Sequence, residues 1–358
     1  MTFARKRRGL TKTRLAKAVG VEPRSITAYE SGEFCPDTSN LQRLASLLRF
    51  PLTFFYGDDL EELSPDSASF RALTKMTAAQ RDTALGCGAM ALRLNDWFEK
   101  RFELPEAALP DLSGEDPEAA AYMLRQHCGL GELPIKNMVH LLESRGVRVF
   151  SLSIDSTSVD AYAMWKNETP FVFLNTMKSA ERSRFDAAHE LGHLVLHRHG
   201  SPQGQAAEKE ANAFASAFLM PRASVFTHAP RFASLDAIIE RKKIWGVSAA
   251  ALSYRLHAIG HITDWHYRSL CIDIERRGFR TKEPFEMKRE SSQIFAKVFA
   301  SLRAEGVSKK FIANELHLHV DEVEQLVFGL AITGVSSDHA LHASRRSGSA
   351  PPALRLVK

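Results

Sequence analysis

The stretch FDAAHELGHLVLH, residues 185–197, sets three histidines and a glutamate in a run that is otherwise almost wholly apolar. From Ala187 to Leu196 only His189, Glu190 and His193 break the apolar surface, which is the pattern of a helix buried on every side. Ser179 supplies an N-cap, and Glu181 puts an acid at the positive end of the helix dipole. The helix is predicted to run to about Arg198, stopped by Gly200, Ser201 and Pro202.

A carboxylate and two imidazoles are costly to bury unless something joins them. His189 and His193 stand four residues apart, so they leave one face with Cβ atoms about 5–6 Å from each other. Two ring nitrogens can then reach one zinc ion at roughly 2.0–2.1 Å each. Glu190 lies about 100° round the helix and does not share the ligand direction. It suits a general base that takes a proton from an attacking water, as in the HExxH arrangement of zinc peptidases.

The third ligand sets the subtype. His199, six residues after His193, has the metzincin spacing, but Leu196 occupies the position where that motif needs glycine. His197 lies roughly 12 Å along the axis from His189, too far to share the ion. In AEKEANAFASAFLMP (207–221), Ala211, Phe214, Ala215, Phe218 and Leu219 form a helical stripe with Glu208 on its edge, while Glu210 projects more than 100° away. Glu208 is therefore the expected ligand, with Glu210 its competitor and Asn212 placed to support a ligand imidazole.

The surrounding composition is that of a globular protein: 358 residues, 44% hydrophobic and 25% charged, enough for two or three domains. No apolar run reaches the roughly 18 residues of a membrane helix, and the N-terminus has no signal-peptide core, so the expected setting is cytoplasmic with no membrane partner. The four cysteines (Cys35, Cys87, Cys128, Cys271) show no CxxC spacing, which argues against a thiolate zinc site or a disulfide framework. The net charge is +5, yet residues 1–50 alone hold ten Lys or Arg against four acids, a footprint for a polyanionic partner.

That basic segment reads as short helices. Thr11 caps the first of them, Leu15, Ala16 and Val19 make its apolar face, and Gly20 ends it. A second helix runs from about Pro23 to Glu30, and a third, capped near Thr38 or Ser39, runs through Leu48. Two helices joined by a tight glycine turn make a helix-turn-helix. LAKAVGV (15–21), SITAYESG (25–32) and PDTSNLQRLASLL (36–48) resemble the DNA-binding domain of the Xre/phage-repressor family. The resemblance implies a recognition helix in the major groove, with Ile26 and Tyr29 turned inward. Arg24, Thr27 and Ala28 would face bases and Lys12 a phosphate or base edge. Of these recognition-helix positions only Arg24 and Thr27 can make side-chain hydrogen bonds to bases.

HELGHLVLH followed by ExxANxFAxxFLMP and preceded by FVFLN (171–175) resembles the ImmA/IrrE family of zinc metallopeptidases. The two likenesses together cover most of residues 1–270. They imply a double-stranded DNA operator, a Zn2+ cofactor and cleavage of a repressor-type protein. A regulator whose peptidase-like domain senses metal or ligand without cutting is the alternative, and a homodimer stays open. Related gluzincins often carry aspartate at the position of Asn212. FVFLN itself is expected to be the sheet edge that binds peptide by β-augmentation. Tyr254, Arg255, His257, His261 and His266 are downstream candidates for an oxyanion stabiliser, each better read as structural.

One internal repeat emerges. GVSKKFIANELHLHVDEVEQLVFG (306–329) lies without gaps over GLTKTRLAKAVGVEPRSITAYESG (9–32). Its would-be recognition helix carries Asp321, Glu322 and Glu324 with no Lys or Arg, which a phosphate backbone would repel, so it is expected to pack or dimerise, with an ordinary helical hairpin as the alternative. IWGVSAAALSYRLHAIG (244–260) has a similar rhythm. The predicted fold is mainly α with a small β-sheet (α+β). A five-helix lambda-repressor-like domain spans 1–65, a helical linker 66–130 and a zincin-like (gluzincin) peptidase domain 131–270. A C-terminal helical region with the degenerate repeat spans 271–335, and a disordered tail 336–358.

Overall fold

Thr11 Oγ1 accepts from the Arg14 amide, and Gly20 leaves the helix in the left-handed region at φ 84°, so the sequence LTKTRLAKAVG folds locally as read. In the computed structural model, residues 1–60, 63, 77–152, 161–198 and 204–331 are described. His199 and the tail from residue 332 lie outside them.

The N-terminal unit comprises α1 (Thr2–Arg7), α2 (Lys12–Val19), α3 (Pro23–Ser31), α4 (Thr38–Leu48) and a 3₁₀ turn (Leu52–Tyr56) as its fifth helical element. Leu15, Ala16, Val19, Ile26, Leu44 and Leu48 form its core. Full burial of a residue such as Ile26 contributes about 1.5–3 kcal/mol. The α4 cap is Asp37, which accepts from the Asn40 amide, and not Thr38 or Ser39. Asp competes better than Thr for this position because its carboxylate also favours the helix dipole.

Next come α5 (Ala78–Glu99), α6 (Pro117–His127), α7 (Met138–Ser144), β1 (Arg148–Ser151), β2 (Ala161–Lys166) and β3 (Thr169–Leu174). Thr77 and Gln80 close a capping box on α5, whose residues Ala84 to Leu92 are buried on every side. Glycines make that burial workable. A Cβ on Gly88 would stand 2.1 Å from the Tyr162 hydroxyl and one on Gly86 3.1 Å from Arg7 Cδ, so β2 and α1 both approach the helix where it has no side chain.

The sheet order is β1-β3-β2, with β1 parallel and β2 antiparallel to β3. The FVFLN strand is thus central, not the edge expected from sequence. Residues Phe171 to Leu174 are buried on both faces, as suits a strand inside a covered sheet. Its partner β2 went unread because the turn between them, Asn167-Glu168, holds both residues at positive φ (47° and 63°) without a glycine to announce it.

The chain continues through α8 (Ala180–Leu196), α9 (Gln205–Leu219), α10 (Arg222–His228), α11 (Leu235–Arg241), a 3₁₀ turn (Lys242–Ile244), α12 (Ala249–Ala258), α13 (Asp264–Arg276), α14 (Gln293–Ala304), α15 (Lys309–Glu315) and α16 (Val320–Val327). α8 ends at Leu196, two residues short of expectation. Buried apolar residues from Ala4 to Leu330 join in one cluster.

The C-terminal repeat is a helix-turn-helix in its geometry. Ser308 caps α15 through Phe311 as Thr11 caps α2 through Arg14. Gly9, Gly20 and Gly32 have positive φ, and so do their counterparts Gly306, His317 and Gly329. Lys309 Nζ meets Glu324 at 3.4 Å, as Lys12 Nζ meets Thr27 at 3.4 Å. Its acidic helix packs inside the chain: Glu322, 2% exposed, accepts from Arg7 at 3.1 Å and pairs with Arg8 at 2.6 Å.

Candidate metal centre

Ser179 Oγ accepts from the Arg182 amide and starts α8. Glu181 is buried, and it takes the Lys242 ammonium at 3.3 Å and the Met287 amide at 2.9 Å, so the first turn is anchored to later segments of the chain. Ala187, Ala188, Leu191, Leu194 and Val195 fix the rest of the helix in the core.

α9 packs along α8 where Gly192 leaves room. A Cβ there would stand 2.9 Å from Phe214 Cδ1 and 3.4 Å from Ala211 Cα. Ala211, Phe214, Ala215, Phe218 and Leu219 are buried, which fixes the rotation of α9 and turns Glu208, 9% exposed, toward the histidines.

The three expected ligands converge. His189 Nε2 and His193 Nε2 are 3.1 Å apart, His193 Nε2 and Glu208 Oε1 3.2 Å, His189 Nε2 and Glu208 Oε2 3.6 Å. Ligand bonds of about 2.0–2.1 Å in tetrahedral geometry require edges of roughly 3.3–3.4 Å, so these spacings fit one zinc ion. Two imidazoles and a carboxylate, all but buried, are also the donor set of a catalytic zinc site that keeps a fourth position for water. Among the described residues this is the group of three or more His, Cys, Asp or Glu side chains close enough to share an ion. Glu190, 4% exposed, follows His189 directly.

Glu210 is occupied elsewhere: its Oε2 meets His197 Nε2 at 2.8 Å, and His197 Nδ1 meets His193 Nδ1 at 3.1 Å. Sequence reasoning dismissed His197 as a ligand and did not weigh it as a neighbour of one. Its four-residue spacing from His193 was the available signal. Asn212 is half-buried, and its side chain forms no hydrogen bond among the described residues. Arg255 binds the Met220 carbonyl and Glu118, His257 meets Asp264, and His261 and His266 meet the Pro230 and Ala233 carbonyls. A cleft of about 730 Å³ beside Tyr122, Arg222 and Phe226 shares no residue with the metal cluster.

On the N-terminal unit, Arg24 and Thr27 are exposed on α3, and Ala28 is half-buried. Lys12 reaches Thr27 at 3.4 Å and Glu30 at 3.5 Å, so these two of the four predicted contact residues, Lys12 and Thr27, meet between α2 and α3. Ile26 is fully buried and Tyr29 partly so. No described helix is long and apolar enough to cross a membrane.

Residues 3–55 match the helix-turn-helix family model, and residues 142–257 match that of the M78 peptidases, described as the IrrE N-terminal-like domain. No curated protein matches the chain.

Proposed function

From a chain that joins an Xre-like helix-turn-helix to an ImmA/IrrE-type peptidase domain, we propose a DNA-binding transcriptional regulator carrying a zinc-dependent endopeptidase that cleaves a repressor-type protein. The observation that carries this reading is the cluster of His189, His193 and Glu208 at tetrahedral spacings, with buried Glu190 next in sequence.

His189, His193 and Glu208 would hold zinc. When bound, the ion supplies Lewis acidity that polarises a scissile carbonyl and lowers the pKa of water at the open position. Glu190 takes a proton from the attacking water and returns it to the leaving amine as the C–N bond breaks. Burial strengthens both events, because charges act more strongly where water is excluded. An extended peptide that adds a strand would pair with β1 or β2, since β3 already has both neighbours. On the DNA side, Arg24 and Thr27 would read base edges, with Ala28 beside them, and Lys12 would neutralise phosphate.

Metal content by mass spectrometry of protein purified without chelator tests the site. About one zinc per chain, absent from His193→Ala, is expected. Metal-free protein in both would sink the reading. Glu190→Gln should retain zinc and operator binding while cleavage of a repressor substrate disappears; unchanged cleavage would remove Glu190 from its role.

A further inference from the structure

Resting on the metal reading above, we infer that His197 and Glu210 are positioning residues that hold the His193 ring in its metal-binding tautomer. His193 Nε2 faces His189 Nε2 at 3.1 Å and Glu208 Oε1 at 3.2 Å, so this nitrogen must present its lone pair to an ion. The ring proton then sits on Nδ1. That N–H points at His197 Nδ1, 3.1 Å away, which must accept. His197 in turn keeps its proton on Nε2 and donates it to Glu210 Oε2 at 2.8 Å. Each ring carries one proton, every nitrogen is used, and the chain ends on a carboxylate.

The layout explains three sequence features with one device. His193 and His197 are one helical turn apart on α8, so their rings lie side by side, centroids 5.2 Å apart. Glu208 and Glu210 share α9 but point differently: the first enters the site, whereas the second, half exposed, backs it from outside. A carboxylate behind a ligand imidazole raises the basicity of the ligand and fixes its plane. Here the carboxylate acts through an intervening histidine, and Asn212, at the position sequence analysis favoured for support, takes no part.

Zinc affinity of the full-length protein, measured by chelator competition, tests the inference. The cobalt-substituted absorption spectrum and thermal unfolding of the metal-free form accompany it. His197→Ala and Glu210→Ala should each weaken zinc binding about 10- to 100-fold. Both should alter the cobalt spectrum, with metal-free unfolding unchanged for the surface variant Glu210→Ala. His197→Gln, whose amide can accept from His193 and donate to Glu210, should recover part of the affinity. Wild-type affinity and spectrum in Glu210→Ala and His197→Ala, with zinc bound to the wild type, would overturn the inference and leave the metal site standing. A wild type that binds no zinc would overturn both. If His197→Ala does not fold, Glu210→Ala decides.

Discussion

Gly192→Ala sets two effects of opposite sign against each other at the contact that builds the metal centre. Alanine in a helix interior is favoured over glycine by about 1 kcal/mol, so in open space the change would stabilise α8. The space is not open: the new methyl would stand 2.9 Å from Phe214 Cδ1 and 3.3 Å from Cγ, with Ala211 Cα at 3.4 Å. Phe214 is fully buried and stacked 5.4 Å from Phe218, so its ring has nowhere to swing, and α9 must shift. Overpacking of this kind costs about 1–3 kcal/mol, which outweighs the propensity gain. Glu208 lies one turn before Ala211 on the same helix, so the shift also draws its carboxylate from the histidines. Lower thermal stability and weaker zinc binding are expected together, and Phe214→Leu in the same chain should restore part of both. A Gly192→Ala protein about 1 kcal/mol more stable than wild type, with unchanged zinc affinity, would refute the close approach of α8 and α9 as the reason for this glycine.

Arg24→Ala should weaken specific operator binding by about 1–3 kcal/mol in a fixed-salt titration, and equal affinity of the wild type for operator and random DNA would remove that role. Burial pushes the Cys87 thiol up from 9.0 to about 11, so in native protein at pH 8 a thiol reagent should label exposed Cys35 and spare Cys87. The folded form holds that proton more tightly than the unfolded chain. The Cys87 contribution to stability is therefore intact below pH 9.0 and lost as pH rises through about 11, and unfolding midpoints across that range check it. Glu322→Ala leaves Arg7, 5% exposed, and Arg8 without their shared carboxylate and should destabilise the fold by roughly 3–5 kcal/mol; urea unfolding within about 0.5 kcal/mol of wild type would refute it.

The parts of this fold that were legible are those written in short-range spacing. Thr11, Gly20 and Gly32 mark the first helix-turn-helix through local hydrogen bonds and backbone angles. The HExxH spacing and the stripe from Ala211 to Leu219 similarly fix which side chains leave which face, so the convergence of His189, His193 and Glu208 could be expected from spacing alone. The β2–β3 hairpin escaped because its turn puts a glutamate where glycine would be the signal. The relay through His197 escaped for another reason: spacing excluded it from the ion, and only the packing of α9 brings Glu210 against it.

The acidic repeat separates what a sequence encodes locally from what it encodes at a distance. Its shape follows from the same caps, positive-φ positions and buried apolar residues as the first copy, with Val323 standing where Ile26 stands. Loss of cationic residues from its second helix removes the attraction to phosphate that a recognition helix needs. What the pattern could not announce is where the new charges go. Glu322 meets Arg7 across 315 positions of chain, and no periodicity links residues so far apart. A buried carboxylate demands a cation, and the arginines at the C-terminal end of α1 and just after it provide two. Part of the basic excess that suggests a polyanionic partner therefore faces inward: Arg7 and Arg8 go to Glu322 and Arg5 to Glu30 at 2.6 Å, while Arg24, Arg14 and Lys17 remain exposed.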